Sequence, residues 1–136
     1  MPDLVVDTDV LSFGFRQEPI FVDRYGPAIE GSRAIVSFMT VAELAYGMLQ
    51  RGWGERRQAE LLRYVQTHYI RFDANEALCH VWGEVAWDAK RKGRVIQTAD
   101  TWIAATAKYL QLPLVTHNAR DFEFLSGIQL ITFSPQ

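Results

Sequence analysis

Leu4-Val5-Val6-Asp7-Thr8-Asp9 is the stretch that decides the fold. Three consecutive apolar residues, two of them β-branched, run straight into a polar cluster. A brief apolar run bounded in this way predicts a strand buried on both faces, as in a parallel sheet. The same pattern recurs downstream. Ala34-Ile35-Val36 lies within a second predicted strand over Arg33 to Phe38, and Ile70 to Phe72, Pro113 to Thr116 and Ile128 to Phe133 are predicted as three more. Between the strands the apolar period lengthens to that of helices. Residues 10 to 31 read as helical, broken near Glu18-Pro19 and closed by Gly31. Val41, Leu44, Ala45, Met48 and Leu49 share one helical face, and Gly52 and Gly54 end that helix. Leu61, Leu62, Val65 and Tyr69 mark another helix. Leu78, Val81, Trp82, Val85, Ala86 and Ala89 mark the clearest one, ending at Gly93, and Ile103, Ala107 and Leu110 the last. Strands alternating with helices predict an α/β protein with a mainly parallel sheet.

The 136 residues amount to one domain, with no linker, repeat or low-complexity stretch. About half the residues are apolar and five are Pro, an ordinary globular composition. A net charge of −2 excludes a polycation, so nucleic-acid binding would need a local basic patch or metal ions. One cysteine, Cys79, allows no internal disulfide, which fits a reducing cytosol. Met1-Pro2-Asp3 lacks the basic start of a signal peptide, and no apolar run approaches the roughly 18 residues of a membrane span. The expectation is a cytoplasmic protein.

Four acids stand out by position. Asp7 follows the first strand, Glu43 lies early in the helix after the second, Asp100 opens the helix to Leu110, and Asp121 follows the strand ending at Thr116. Sites in parallel α/β sheets form beyond the carboxyl ends of the strands. Hard oxygen donors gathered there suit Mg²⁺ or Mn²⁺. No softer site is on offer, since His68, His80 and His117 are scattered and one cysteine builds no zinc cage.

Each acid also has a structural reading. Asp7 or Asp9 could cap the next helix. Thr40-Val41-Ala42-Glu43 spells a capping box, with Thr40 as N-cap. Asp100 could complement a helix dipole, with Thr98 as the cap, and Asp121 could cap a turn through Leu125. Lys90, Arg91, Lys92 and Arg94 read as a solvated helix end or a phosphate grip, and Arg120 with His117 as another grip. Trp82 and Trp87 read as core or interface, Trp102 and Phe13 as core, dimer packing or base-stacking platforms. Cys79 reads as a small apolar filler.

Taken in order, the segments around the four acids resemble the PIN-domain family, in particular its VapC-like toxins. Asp7-Thr8-Asp9-Val10-Leu11-Ser12 is similar to the family's opening motif, and Thr40 to Leu44 with Tyr46-Gly47 to its second. Asp100 with Ile103 to Ala107 resembles the third, and Leu114 to Asn118 followed by Asp121-Phe122 the fourth. The resemblance spans residues 3 to about 134, so residues 1–136 read as a single PIN domain. It implies a three-layer α/β/α sandwich and a metal-dependent endoribonuclease, the toxin of a type II toxin–antitoxin pair. It further implies an antitoxin that covers the site, a homodimer, and contact with operator DNA only through the antitoxin. Carried over, Asp7, Glu43, Asp100 and Asp121 become the catalytic acids and Asp7 and Asp100 the metal ligands, with Thr8, Asp9, Thr116 and Asn118 as substrate-binding or supporting groups. Asp9 departs from the Asn common in the family. The alternatives are an RNA-processing nuclease of the same fold, a module that binds RNA or protein without cutting, and a haloacid-dehalogenase-like phosphatase. The phosphatase is suggested by Asp7-x-Asp9, but the chain is short for that fold and lacks its downstream lysine motif.

Overall fold

The structure is a computed structural model that describes residues 2–134. Strand β1 (Asp3–Val6) is the centre of a five-stranded, all-parallel sheet. Its neighbours are β2 (Arg33–Ser37) and β4 (Leu114–Val115), and β3 (Ile70–Phe72) and β5 (Leu130–Ile131) form the edges. The run Leu4-Val5-Val6 is apolar throughout because both of its faces are covered. Leu4 and Val6 pack into one core and Val5 into the other. The first core lies beneath α1 (Thr8–Phe15), α3 (Phe38–Gln50) and α4 (Glu55–His68). The second lies beneath α5 (Glu76–Arg91) and α6 (Thr98–Leu110). This is the expected three-layer α/β/α sandwich.

The chain leaves β1 toward β2 and β3, then returns past β1 to form β4 and β5. β1 and β4 therefore flank the point where the strand order reverses, and a crevice opens beyond their carboxyl ends. Asp7 and Thr116 are the first residues past those ends.

Several boundaries differ from the sequence expectation. The break at Glu18-Pro19 separates α1 from a π-helical turn (Phe21–Tyr25) and the short α2 (Gly26–Ile29), and Gly31 follows with φ +84°. Helix α3 starts at Phe38, because the buried Ser37 caps it by accepting a hydrogen bond from the Met39 amide. Thr40 is thus interior to α3 and not its cap, so the capping-box reading of Glu43 fails. Helix α6 is entered through Gln97, with Thr98 already helical. The last strand spans only Leu130–Ile131. Cys79 is exposed on α5 and fills no core space, and Trp87 is also exposed, whereas Trp102 packs against Phe38 and Trp82. Among the described residues no helix is long and apolar enough to cross a membrane.

Candidate active site

Asp7 follows β1 as the N-cap of α1 and is almost wholly buried, at 5% exposure. Its Oδ1 accepts from the Thr8 amide at 2.8 Å and its Oδ2 from the Thr116 hydroxyl at 2.7 Å. The capping reading is therefore correct for Asp7, but it engages one lone pair of one oxygen and leaves others free. Burial, then the charge of Asp9, raise the Asp7 pKa from 3.8 to about 7 against those hydrogen bonds.

Glu43 sits one turn inside α3 and reaches across to α1. The Thr8 hydroxyl donates to its Oε1 at 2.7 Å and lies 2.9 Å from the Thr40 hydroxyl. Asp100 occupies the first turn of α6. Burial, then the charges of Asp7, Asp121 and Glu43, raise its pKa to about 7. Its carboxylate has no hydrogen-bond donor among the described residues, so the positive end of α6 is its main local compensation.

Asp9 is a tether. Its Oδ1 accepts from the Val10 amide at 2.7 Å. Its Oδ2 accepts from the His117 amide at 3.2 Å and the Asn118 side-chain amide at 3.0 Å, joining α1 to the loop after β4. Burial raises its pKa to about 6. Asn118 also donates its backbone N–H to Thr116 Oγ1 at 3.0 Å, so this loop locks the hydroxyl that serves Asp7.

Asp7, Thr8, Asp9, Glu43, Asp100 and Asn118 line one cleft of about 320 Å³. Asp121 lies at the end of the 3₁₀ turn Ala119–Asp121 and is exposed. It lines an adjoining hollow with His117, Asn118 and Arg120, yet its charge acts on Asp100. Its side chain makes no cap among the described residues. Thus three of the four acids line one cleft and the fourth flanks it. Among the described residues no three acidic or imidazole groups stand in a preassembled metal cage. The donor set nonetheless suits a divalent cation. It consists of hard carboxylate oxygens whose negative charge is held at a cost by burial and mutual repulsion.

Sequence reasoning missed three groups of the cleft. Ser12, Arg16 and Arg51 line it beside Phe13. The spacing of Asp9, Ser12, Phe13 and Arg16 is that of one helix face, a signal present in the sequence but not separable there from an ordinary solvated face. Three residues of the basic run Lys90 to Arg94 are tied into the fold, and Lys90 is exposed. Arg91 and Lys92 bond to the buried Asp88 at 2.8 and 3.1 Å, Lys92 also donates to the Phe124 carbonyl, and Arg94 covers the Phe124 ring. His117, with Nδ1 2.7 Å from the Tyr25 hydroxyl, lies with Arg120 and Asp121 in the hollow beside the cleft.

Comparison with known proteins places the chain in a family and matches its fold. The sequence pattern of the PIN domain matches residues 4–127. Ribonuclease VapC1 of Haemophilus influenzae is 29% identical over 129 residues, covering 92% of this chain and 93% of the relative. The tRNA(fMet)-specific endonuclease VapC of Shigella flexneri is 28% identical, covering 95% and 96%. Among solved structures, VapBC2 from Rickettsia felis, bound to a DNA fragment from its promoter, superposes with a TM-score of 0.85. That alignment has 20% identity and covers 97% of this chain and 99% of the other.

Proposed function

The chain belongs to the PIN-domain family, alongside the VapC ribonucleases, and from that premise we propose how it cuts RNA. It is an endoribonuclease of the toxin type, and its cleft is the cleavage site. One observation carries this reading. Asp7, Glu43 and Asp100, 93 positions apart at the extremes, converge on one crevice at the reversal point of the sheet. Capping uses one oxygen of Asp7, and neither Asp100 nor the second oxygen of Glu43 has a hydrogen-bond donor among the described residues.

Asp7 and Asp100 would hold Mg²⁺ or Mn²⁺, with the Asp121 carboxylate available from the flank. When bound, such an ion would supply activation of a water molecule and charge relief at the phosphoryl oxygens. Thr116 and the Thr8 amide hold the Asp7 carboxylate in one orientation, a common arrangement behind metal ligands. Glu43 has one oxygen fixed by Thr8 and keeps the other to orient the attacking water and accept its proton. Asp9 and Asn118 keep the loop after β4 in register with α1. The cellular setting is the cytoplasm, as a homodimer controlled by an antitoxin that covers the cleft and brings the complex to operator DNA.

The test is cleavage of a tRNA pool and a single-stranded RNA by the purified chain with Mg²⁺, Mn²⁺ or EDTA. The expectation is cutting with either metal and none with EDTA. Glu43→Gln should slow it by roughly 10²- to 10⁴-fold, the usual worth of a proton acceptor. Metal-independent cutting, or full activity in Asp100→Asn, would refute the assignment.

A further inference from the structure

The cleft is not uniformly acidic. Two arginines line it, Arg16 at the carboxyl end of α1 and Arg51 at the carboxyl end of α3. Each lies on the same helix face as an acid of the site. Asp9 precedes Arg16 by seven residues and Glu43 precedes Arg51 by eight, so each guanidinium is rooted ~10 Å along its helix from the carboxylates.

Neither arginine is consumed by the fold. Arg51 forms no ion pair among the described residues. Its carbon Cζ is 6.0 Å from the Trp53 ring, whereas Arg57 already occupies that ring at 4.6 Å. Arg16 has only Glu18, at 3.5 Å with both side chains about 40% exposed, a weak surface contact. Neither bonds to Asp7 or Glu43, whose contacts go to Thr8 and Thr116. One guanidinium without an ion pair and one held only by a weak surface contact, both beside a carboxylate cluster, are therefore free to bind an anion.

Local packing also accommodates them. Gly47 lies between Glu43 and Arg51 on the same face of α3, and a Cβ there would sit 3.1 Å from Arg51 Nη1. The missing side chain lets the guanidinium fold back along the helix toward the cleft. On α1, Phe13 stands one turn before Arg16, with the guanidinium 5.9 Å from its ring centroid and its other neighbour being His117. An aromatic face beside a planar cation suits a nucleotide, with base on ring and phosphate on guanidinium.

We propose that Arg16 and Arg51 are substrate-positioning residues that take RNA phosphates adjoining the scissile one, with Phe13, beside Arg16, as the stacking surface. This rests on the ribonuclease reading above. It also explains how a chain of net charge −2 with an acidic site attracts a polyanion. The arginines offset the repulsion that the carboxylates exert on incoming phosphates and set the strand's direction across the site.

The test uses a fluorescein-labelled single-stranded RNA that the wild-type chain cleaves. Binding is measured by anisotropy across a salt series in Asp100→Asn, alone and combined with Arg16→Gln, Arg51→Gln or Arg51→Lys. A phosphate contact on a single strand contributes a slope of about 0.7 in log affinity against log salt, or about fivefold at 0.1 M salt. Each Gln variant should lose that much slope and affinity, whereas Arg51→Lys should keep the slope because it keeps the charge. With Asp100 intact, the Gln variants should raise KM and leave kcat within about twofold. Unchanged slope and affinity in both Gln variants would overturn the proposal. So would a fall in kcat and melting temperature at constant KM, which marks a structural role. Failure of the ribonuclease reading shows separately, as a wild-type chain that cuts no RNA.

Discussion

Replacing Asp7 by Asn should make the protein more stable at pH 8 in the absence of metal, while ending cleavage. Burial and neighbouring carboxylates raise the folded pKa of Asp7 from 3.8 to about 7, roughly three units. Each unit corresponds to ~1.4 kcal/mol, so the ionised group costs the fold up to about 4 kcal/mol. The amide removes that cost but weakens one of two short hydrogen bonds, to the Thr8 amide or the Thr116 hydroxyl, at about 1–2 kcal/mol. The net gain is about 2 kcal/mol, or a rise in Tm of roughly 6 °C for a domain of this size. The folded pKa lies above the unfolded one, so the native state binds more protons and wild-type stability falls as pH rises from about 4 to about 7. At pH 4.5 most of the gain should be gone and the variant should match or trail the wild type. Urea unfolding in EDTA at both pH values measures this, and repeating it with Mg²⁺ should stabilise the wild type more than the variant. If Asn at this position destabilises equally at pH 8 and pH 4.5, the charge there is not under strain, and the electrostatic account of the site is wrong.

Two other changes probe the frame. Asp88 on α5 is buried and accepts from Arg91, Lys92 and the Ser126 amide, which holds its pKa well below the usual carboxylate range. Asp88→Ala should cost about 2–3 kcal/mol near neutral pH. The deficit should shrink as pH falls below about 4 and the wild-type carboxyl takes up its proton, the opposite pH trend to that at Asp7; a pH-independent deficit would contradict the ion-pair explanation. Gly14→Ala on α1 should destabilise by about 1–3 kcal/mol despite alanine's better helix propensity, because the new Cβ would press on the Tyr64 hydroxyl and the Phe21 ring. An unchanged or raised urea midpoint would show that α1 has room to shift.

The parallel sheet was legible because its central strand is apolar on both faces, and Leu4-Val5-Val6 carries that in three letters. The helices were legible wherever one face alone is buried, as along Leu78, Val85 and Ala89 in α5. Order along the chain likewise marked Asp7, Glu43 and Asp100 as residues at strand ends and helix starts. Helix entry was less legible. Ser37 and Thr40 are both good caps by type, and the choice between them depends on where β2 stops pairing, with Ser37 still in register with Phe72. That is a non-local fact, and it turned Glu43 from a capping residue into a side chain aimed at Thr8 on another helix.

By itself, the order of amino acids determined the local periods, hence strand and helix, and placed carboxylates at the ends of those elements. Tertiary structure alone decided which of them share a crevice, which oxygens are already engaged, and that Asp121 stands at the flank while Arg16 and Arg51 enter the cleft. The physical reason is range. Propensity and hydrophobic period act over a few neighbouring residues, whereas the energy of a charge depends on everything packed around it, including groups more than a hundred positions away such as Thr116 against Asp7.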